Sequence, residues 1–154
     1  MELSQLLDLS NVAVGVDATD KSSLLDAVID LIADRDEVND AELMRQAILD
    51  RESAMSTGVG KGLGLPHAKT SAVDGILAAL AIAKEPVDYG SMDNEPVRIV
   101  FLLVGKEDAK SQHVRILSRI SRMMNQKDER ERVLAAKNPK ELLTLIHDIE
   151  SQLN

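Results

Sequence analysis

The 154-residue chain contains no cysteine and no tryptophan, and it has only one phenylalanine and one tyrosine. The absence of cysteine excludes disulfides, thiolate nucleophiles, Cys-ligated zinc and iron–sulfur clusters. The scarcity of aromatic side chains removes the stacking platforms that bind single-stranded nucleic acid. Basic residues are also too few for a nucleic-acid binder, since 26 acidic residues outweigh 18 basic ones and the net charge is -8. The core must therefore be aliphatic.

Long hydrophobic runs are absent as well. The longest apolar stretches are far shorter than the roughly 20 residues that cross a bilayer. The first residues, Met1-Glu2-Leu3, lack the basic start of a signal peptide. We therefore expect a soluble, cytoplasmic protein that is not membrane-embedded. With 44% apolar and 29% charged residues, the chain suits one globular domain over residues 1–154.

Negative charge is concentrated in the first half of the chain. Residues 1–77 hold 14 acidic and 6 basic residues, whereas residues 78–154 hold 12 of each. The acidic residues are densest from Asp26 to Glu52. A solvated helical face is the simplest interpretation of this stretch, and a surface that steers a basic partner is the alternative.

The hydrophobic pattern predicts helices and strands around one core. Apolar residues at helical spacing predict helices that begin near Asp20, Asn39 and Asn138-Pro139, and another that contains Ile116–Met124. Apolar runs predict strands at 12–16, 76–83 and 97–104, although a buried helix is an alternative for the alanine-rich second run. Helices, strands and then helices again favour a layered α/β domain.

The segment from Thr57 to His67 holds four of the eight glycines, at positions 58, 60, 62 and 64. In an extended chain these glycines share one face and let backbone N–H groups approach a ligand closely. We therefore predict phosphate contacts from Thr57, Gly58, Gly60 and Gly62, with a mobile turn as the alternative. Neither the Walker A pattern nor the dinucleotide fingerprint is complete, because Gly62 follows Lys61 and leucine occupies positions 63 and 65.

Three side chains are candidates for chemistry. His67 follows Pro66, whose fixed φ holds the local backbone, and a neutral imidazole is a nucleophile at neutral pH. His113 shares the apolar face of its predicted helix near the helix start, where anions are favoured. Arg51 lies where a helix passes into the glycine-rich segment. Taken alone, each histidine is more often structural than catalytic.

Together, the two histidines and the arginine suit reversible phosphoryl transfer to imidazole. The neutral His67 nitrogen attacks phosphorus, and the phosphohistidine then carries nearly two negative charges. Arg51, His113 and backbone N–H groups can stabilise these charges without trapping them. Three scattered histidines with no carboxylate pattern do not indicate a metal site.

The same residues resemble a known signature. Arg51-Glu52, Thr57-Gly58-Val59-Gly60 and Leu65-Pro66-His67 are similar to the motifs of the fructose/mannitol-type enzyme IIA domains of the bacterial phosphotransferase system, whose nitrogen-regulatory members share them. The resemblance continues through 95–103 and the helix start at His113. Two departures are small: the family more often has alanine at the position of Gly64, and leucine at the position of Val114.

This resemblance implies that Nε2 of His67 receives phosphate from phospho-HPr, with support from His113 and Arg51. It also implies a mixed sheet of about five strands flanked by helices, and no metal or organic cofactor. Because the chain has no cysteine for the phosphocysteine of an enzyme IIB, the acceptor must be another chain, either an enzyme IIB or a regulatory target. A non-catalytic regulatory module of the same fold is the alternative, and an unrelated nucleotide-binding domain is more distant.

Overall fold

The computed structural model describes residues 1–153. It contains a short 3₁₀ turn at Leu3–Gln5 and six strands: β1 Val12–Val16, β2 Gly58–Gly60, β3 Leu63–Gly64, β4 His67–Lys69, β5 Ile76–Val87 and β6 Val97–Gly105. The five helices are α1 Lys21–Asp30, α2 Ala41–Ala54, α3 Lys110–Met124, α4 Lys127–Leu134 and α5 Pro139–Ser151.

The strands form one mixed sheet in the order β1-β5-β6-β3-β2, and β4 also pairs with β6. Strands β5 and β6 are antiparallel, whereas β1 is parallel to β5 and both β3 and β4 are parallel to β6. Strand β3 pairs with residues 99–100 of β6, and β4 pairs with residues 103–105. The two short strands therefore lie end to end along one side of β6. The sheet is five strands wide, as expected, but it contains six strands because β3 and β4 share one place in the order.

The two faces of the sheet carry separate halves of the core. Along β5, the three alanines 79, 81 and 83 pack with α1 and α2, while residues 78, 80 and 82 pack with α3 and α5. This alternation follows from the two-residue period of a strand. Because both faces are covered, the strands are apolar throughout. The predicted layered α/β architecture, with helices on both sides of the sheet, is confirmed.

Polar caps fix where three helices begin. Asp20 accepts from the Ser23 N–H at 2.8 Å and caps α1, as the sequence predicted. Asn138 accepts from the Glu141 N–H at 2.8 Å, and Pro139 opens α5. Helix α2 begins at Ala41, two residues after the predicted start at Asn39, because Asp40 is its cap.

Two elements differ from the sequence prediction. Helix α4 was not predicted, because six of its eight residues are charged and only Val133 is buried, so no apolar stripe marks it. Strand β5 extends to Val87 rather than ending at Ala83, because pairing with β6 resumes between Val87 and Val97 after an irregular stretch. The alanine-rich run is a strand and not a helix.

Within residues 1–153, none of the helices has the length and apolar character needed to cross a membrane.

Candidate active site around His67 and His113

His67 is the first residue of β4, immediately after the break that separates β3 from β4. Pro66 lies in this break, and its carbonyl accepts from the Leu103 N–H at 3.1 Å. His67 is the register partner of Leu103, whose side chain packs on the α3 side of the sheet. The half-buried His67 ring therefore lies on the same side as α3.

The protonation of the His67 ring follows from one contact. Its Nδ1 lies 2.7 Å from the carbonyl oxygen of Leu65. A carbonyl oxygen only accepts hydrogen bonds, so Nδ1 carries the proton and donates it to Leu65. In the neutral ring Nε2 then has a free lone pair. This nitrogen is the one that the family resemblance assigned to phosphorylation.

Arg51 lies opposite that lone pair. It is in the last turn of α2, and its Nη2 is 3.5 Å from Nε2 of His67. Its Nη1 donates to the carbonyl oxygen of Met55 at 3.2 Å, which anchors the guanidinium to the end of its own helix. The arrangement places a permanent positive charge beside Nε2 of His67.

His113 approaches His67 from the first turn of α3. The ring centroids are 5.6 Å apart and the rings are tilted by 58°. His113 is only 2% exposed, and neither ring nitrogen has a hydrogen-bond partner. Desolvation, followed by repulsion from His67 and Lys69, lowers the pKa of His113 to about 4. His113 is therefore neutral at neutral pH, with one N–H unused.

The close packing of the His113 ring against β6 depends on a glycine at the end of that strand. A Cβ on Gly105 would lie 3.1 Å from Nδ1 of His113, closer than most real contacts of that kind. Lys69 is the register partner of Gly105 and lies two residues beyond His67 on the same face of β4. The sequence analysis overlooked Lys69, although the alternation in His67-Ala68-Lys69 could have indicated it.

The glycine-rich segment does not converge on the two rings as the sequence analysis expected. It forms the β2–β3 hairpin, and the Gly62 carbonyl accepts from the N–H groups of Arg98 and Ile99. His67 pairs five residues farther along β6, at residue 103, which corresponds to about 16 Å of strand. The structure therefore places Gly60 and Gly62 away from the His67 ring.

Thr57 and Gly58 lie nearer to His67, but their donors are engaged. The Thr57 N–H donates to Oε2 of Glu52 at 2.6 Å, and its hydroxyl donates to Oε1 of the same carboxylate. The Gly58 N–H donates to the Ser56 hydroxyl at 3.2 Å. In this conformation neither residue offers a free donor to a ligand.

A buried polar cluster beside Arg51 was missed by the sequence analysis. The Glu52 carboxylate is surrounded by Thr57, the Tyr89 hydroxyl and the Lys21 ammonium. Two of these partners, Lys21 and Tyr89, are more than 30 residues from Glu52 in the sequence, so no local pattern could have identified the whole cluster. It explains one departure from the family pattern, because a Cβ on Gly64 would lie 3.2 Å from the Tyr89 ring.

The site thus combines Nε2 of His67, a guanidinium 3.5 Å away from it and a second imidazole with no hydrogen-bond partner. This set can bind a group that carries negative charge, because the guanidinium and an imidazole N–H both stabilise that charge. Among residues 1–153 no three His, Asp or Glu side chains are grouped to hold a metal ion.

Comparison with known proteins identifies the class that this fold and site define. Residues 5–149 match the family model described as phosphoenolpyruvate-dependent sugar phosphotransferase system, EIIA 2. The chain belongs to this family of phosphotransferase system (PTS) enzyme IIA proteins.

Individual relatives include both sugar-specific and regulatory members. The PTS fructose-specific EIIABC component of Bacillus subtilis (strain 168) is 31% identical over 147 residues, which are 96% of this chain but 23% of that protein. The PTS fructose-specific EIIA component of Haloferax volcanii is 30% identical over 148 residues, 96% of each chain. The crystal structure of the nitrogen regulatory protein IIA-Ntr from Neisseria meningitidis superposes with a TM-score of 0.87 at 25% identity, covering 94% of this chain and 98% of that one.

Proposed function

We propose that the protein is a phosphoryl carrier in which Nε2 of His67 accepts a phosphoryl group from phospho-HPr. One observation carries the proposal: the 2.7 Å contact from Nδ1 of His67 to the Leu65 carbonyl leaves the Nε2 lone pair free. That lone pair lies 3.5 Å from the Arg51 guanidinium.

The transfer step balances without a cofactor. Nε2 of His67 forms a bond to phosphorus while the phosphorus–nitrogen bond of the donor phosphohistidine breaks, and the donor imidazole leaves with that electron pair. As Nε2 gives up its lone pair, positive charge develops on the His67 ring. The Leu65 carbonyl stabilises this charge at Nδ1–H. In onward transfer the same proton lets His67 leave as a neutral imidazole rather than as an anion.

Negative charge on the transferring phosphoryl oxygens is met by two residues. Arg51 supplies a fixed charge next to Nε2, and such electrostatic stabilisation is the main requirement of phosphoryl transfer. His113 supplies a neutral N–H from a buried ring with no other partner. One permanent cation and one neutral donor stabilise the phosphohistidine less than two cations would, which keeps onward transfer accessible.

We assign the remaining donors to the first turn of α3 rather than to the glycine-rich segment. The first N–H groups of a helix have no partner within it, and the helix dipole favours an anion there. No side chain caps α3 at Ala109, and His113, whose ring lies beside His67, belongs to that turn. We assign a structural role in and beside the β2–β3 hairpin to Thr57, Gly58, Gly60 and Gly62.

The phosphoryl group then leaves this domain, because the domain has no cysteine to hold it. An enzyme IIB is the acceptor that we propose. The name EIIABC of the Bacillus subtilis relative supports it, since that protein combines an A component with B and C components. Similarity to a nitrogen regulatory protein supports a second use, in which the phosphorylation state of His67 controls a target protein.

Incubation with phosphoenolpyruvate, enzyme I and HPr tests the proposal. We expect a mass gain of one phosphoryl group that is acid-labile and base-stable, and that is absent in His67→Ala. Arg51→Ala and His113→Ala should be phosphorylated more slowly, with the fold intact. No mass gain in the wild-type protein would favour the non-catalytic binding module, and a gain that persists in His67→Ala would place the phosphate elsewhere.

A further inference from the structure

Glu52 is a buried carboxylate that the transfer step does not use. It is only 4% exposed, although it lies in the last turn of α2 next to Arg51. Burying a charged group is costly unless hydrogen bonds and an opposite charge compensate. Both oxygens of Glu52 accept hydrogen bonds and one of them also pairs with a cation, so several contacts together fix its position.

The partners of Glu52 come from three separate parts of the chain. Oε2 accepts from the Thr57 N–H at 2.6 Å and pairs with the Lys21 ammonium at 3.0 Å. Oε1 accepts from the Thr57 hydroxyl and from the Tyr89 hydroxyl, the latter at 3.0 Å. The Lys21 ammonium also lies 4.4 Å from the centre of the Tyr89 ring. The carboxylate therefore joins α1, α2, the residue before β2 and the segment after β5.

A continuous series of hydrogen bonds runs from Glu52 to the His67 ring. The Thr57 N–H donates to Glu52, and the Thr57 carbonyl accepts from the Leu65 N–H at 3.0 Å. The Leu65 carbonyl in turn accepts from Nδ1 of His67 at 2.7 Å. Both polar groups of the Leu65 backbone are thus engaged, one toward Glu52 and one toward His67.

We propose that Glu52 is a positioning residue that holds His67 in its reactive tautomer through Thr57 and Leu65. The Nδ1–H form is the one that a free histidine side chain disfavours, so the protein must impose it. By tying the last turn of α2 to Thr57, the same carboxylate also fixes the distance between Arg51 and Nε2. This inference rests on the proposed function for its kinetic consequence, but its structural part concerns the His67 ring alone.

Nuclear magnetic resonance tests the structural part without any phosphate. The ¹⁵N shifts of the His67 ring should show a protonated Nδ1 and a bare Nε2 in the wild-type protein. In Glu52→Gln an amide donor replaces one of the accepting oxygens, and we expect a mixture of tautomers. Glu85→Gln removes the same charge from an exposed position on β5 and should keep the wild-type tautomer.

A matched pair at Thr57 keeps the test decisive if Glu52→Gln does not fold. Thr57→Val keeps the shape and loses the hydroxyl that donates to Glu52, whereas Thr57→Ser keeps the hydroxyl. We expect Thr57→Val to shift the tautomer toward Nε2–H and Thr57→Ser to restore the wild-type ring. If Thr57→Val and Glu52→Gln both leave Nδ1 protonated as in wild type, Glu52 does not position His67.

Transfer kinetics test the consequence. In Glu52→Gln the kcat for phosphorylation by phospho-HPr should fall by about tenfold, as expected when a reacting group is misplaced. The KM for the donor should stay the same, since Glu52 is buried. If wild type accepts no phosphate while the tautomer still shifts in Glu52→Gln, the proposed function fails and the positioning role stands. A shifted tautomer with an unchanged kcat would remove the kinetic part of the inference.

Discussion

Replacing His113 by glutamine should remove an acid-sensitive part of the protein's stability. The His113 ring is 2% exposed and has no hydrogen-bond partner for either nitrogen. Protonating it in the folded state means placing a charge in a desolvated site near His67 and Lys69, which is why its pKa is lowered to about 4. In the unfolded chain a histidine titrates near 6.5. The unfolded state therefore binds this proton first as the pH falls.

The magnitude follows from linkage between proton binding and folding. Stability is complete above about pH 6.5 and is lost progressively as the pH falls toward the folded pKa of about 4. Between pH 7.5 and pH 5.5 the wild-type protein should lose about 1.4 kcal/mol through His113. Full protonation of the unfolded state at lower pH raises the loss to about 3 kcal/mol. His113→Gln, which has no imidazole, should not show this loss.

Urea unfolding at pH 7.5 and pH 5.5 measures the difference, and both values stay above the isoelectric point near 4.9. The quantity to compare is the drop in unfolding free energy between the two pH values. Glutamine also changes the packing, but that change affects the stability equally at both pH values. His147→Gln, on the exposed side of α5, is the matched control for losing an imidazole. If the wild-type protein and His113→Gln lose the same stability over this range, the pKa of His113 is not lowered in the folded protein.

Three further outcomes follow from the structure. Gly105→Ala places a Cβ 3.1 Å from His113 Nδ1, so phosphorylation should slow several-fold with little change in melting temperature. An unchanged rate would show that the position of the His113 ring is not critical. Gly58→Ala places a Cβ 2.9 Å from the Ser91 Cα, so the free energy of unfolding measured in urea should fall by about 1–3 kcal/mol. An unaltered urea midpoint would show that the two residues are not in this close contact. If the exposed acidic residues between Asp26 and Asp50 steer a basic face of HPr, the transfer rate should fall with ionic strength. A salt-independent rate would exclude steering.

The framework of the fold could be predicted because each main element carries a local signal. Asp20 and Asn138-Pro139 mark helix starts through capping, and the apolar runs of β5 and β6 fit strands covered on both faces. Helix α4 carries no such signal, since six of its eight residues are charged and only Val133 is buried. Its position is decided by tertiary contacts with α3 and α5.

The candidate site was predictable in its chemistry but not in its arrangement. His67, His113 and Arg51 are residues suited to phosphoryl transfer, and the structure brings their side chains together. Nothing in the local sequence showed that Gly62 lies beside residues 98 and 99 of β6 rather than beside His67, because strand register is a long-range property. The Glu52 cluster is long-range for the same reason.

The break between β3 and β4 also leaves one short strand, β4, at an edge of the sheet. Strand β4 is three residues long, follows a proline and ends in Lys69, and among the described strands it pairs only with β6. Shortness, a neighbouring proline and an exposed lysine are three devices by which natural sheets prevent another strand from adding to an open edge. We therefore expect this edge to resist the addition of a strand from another molecule.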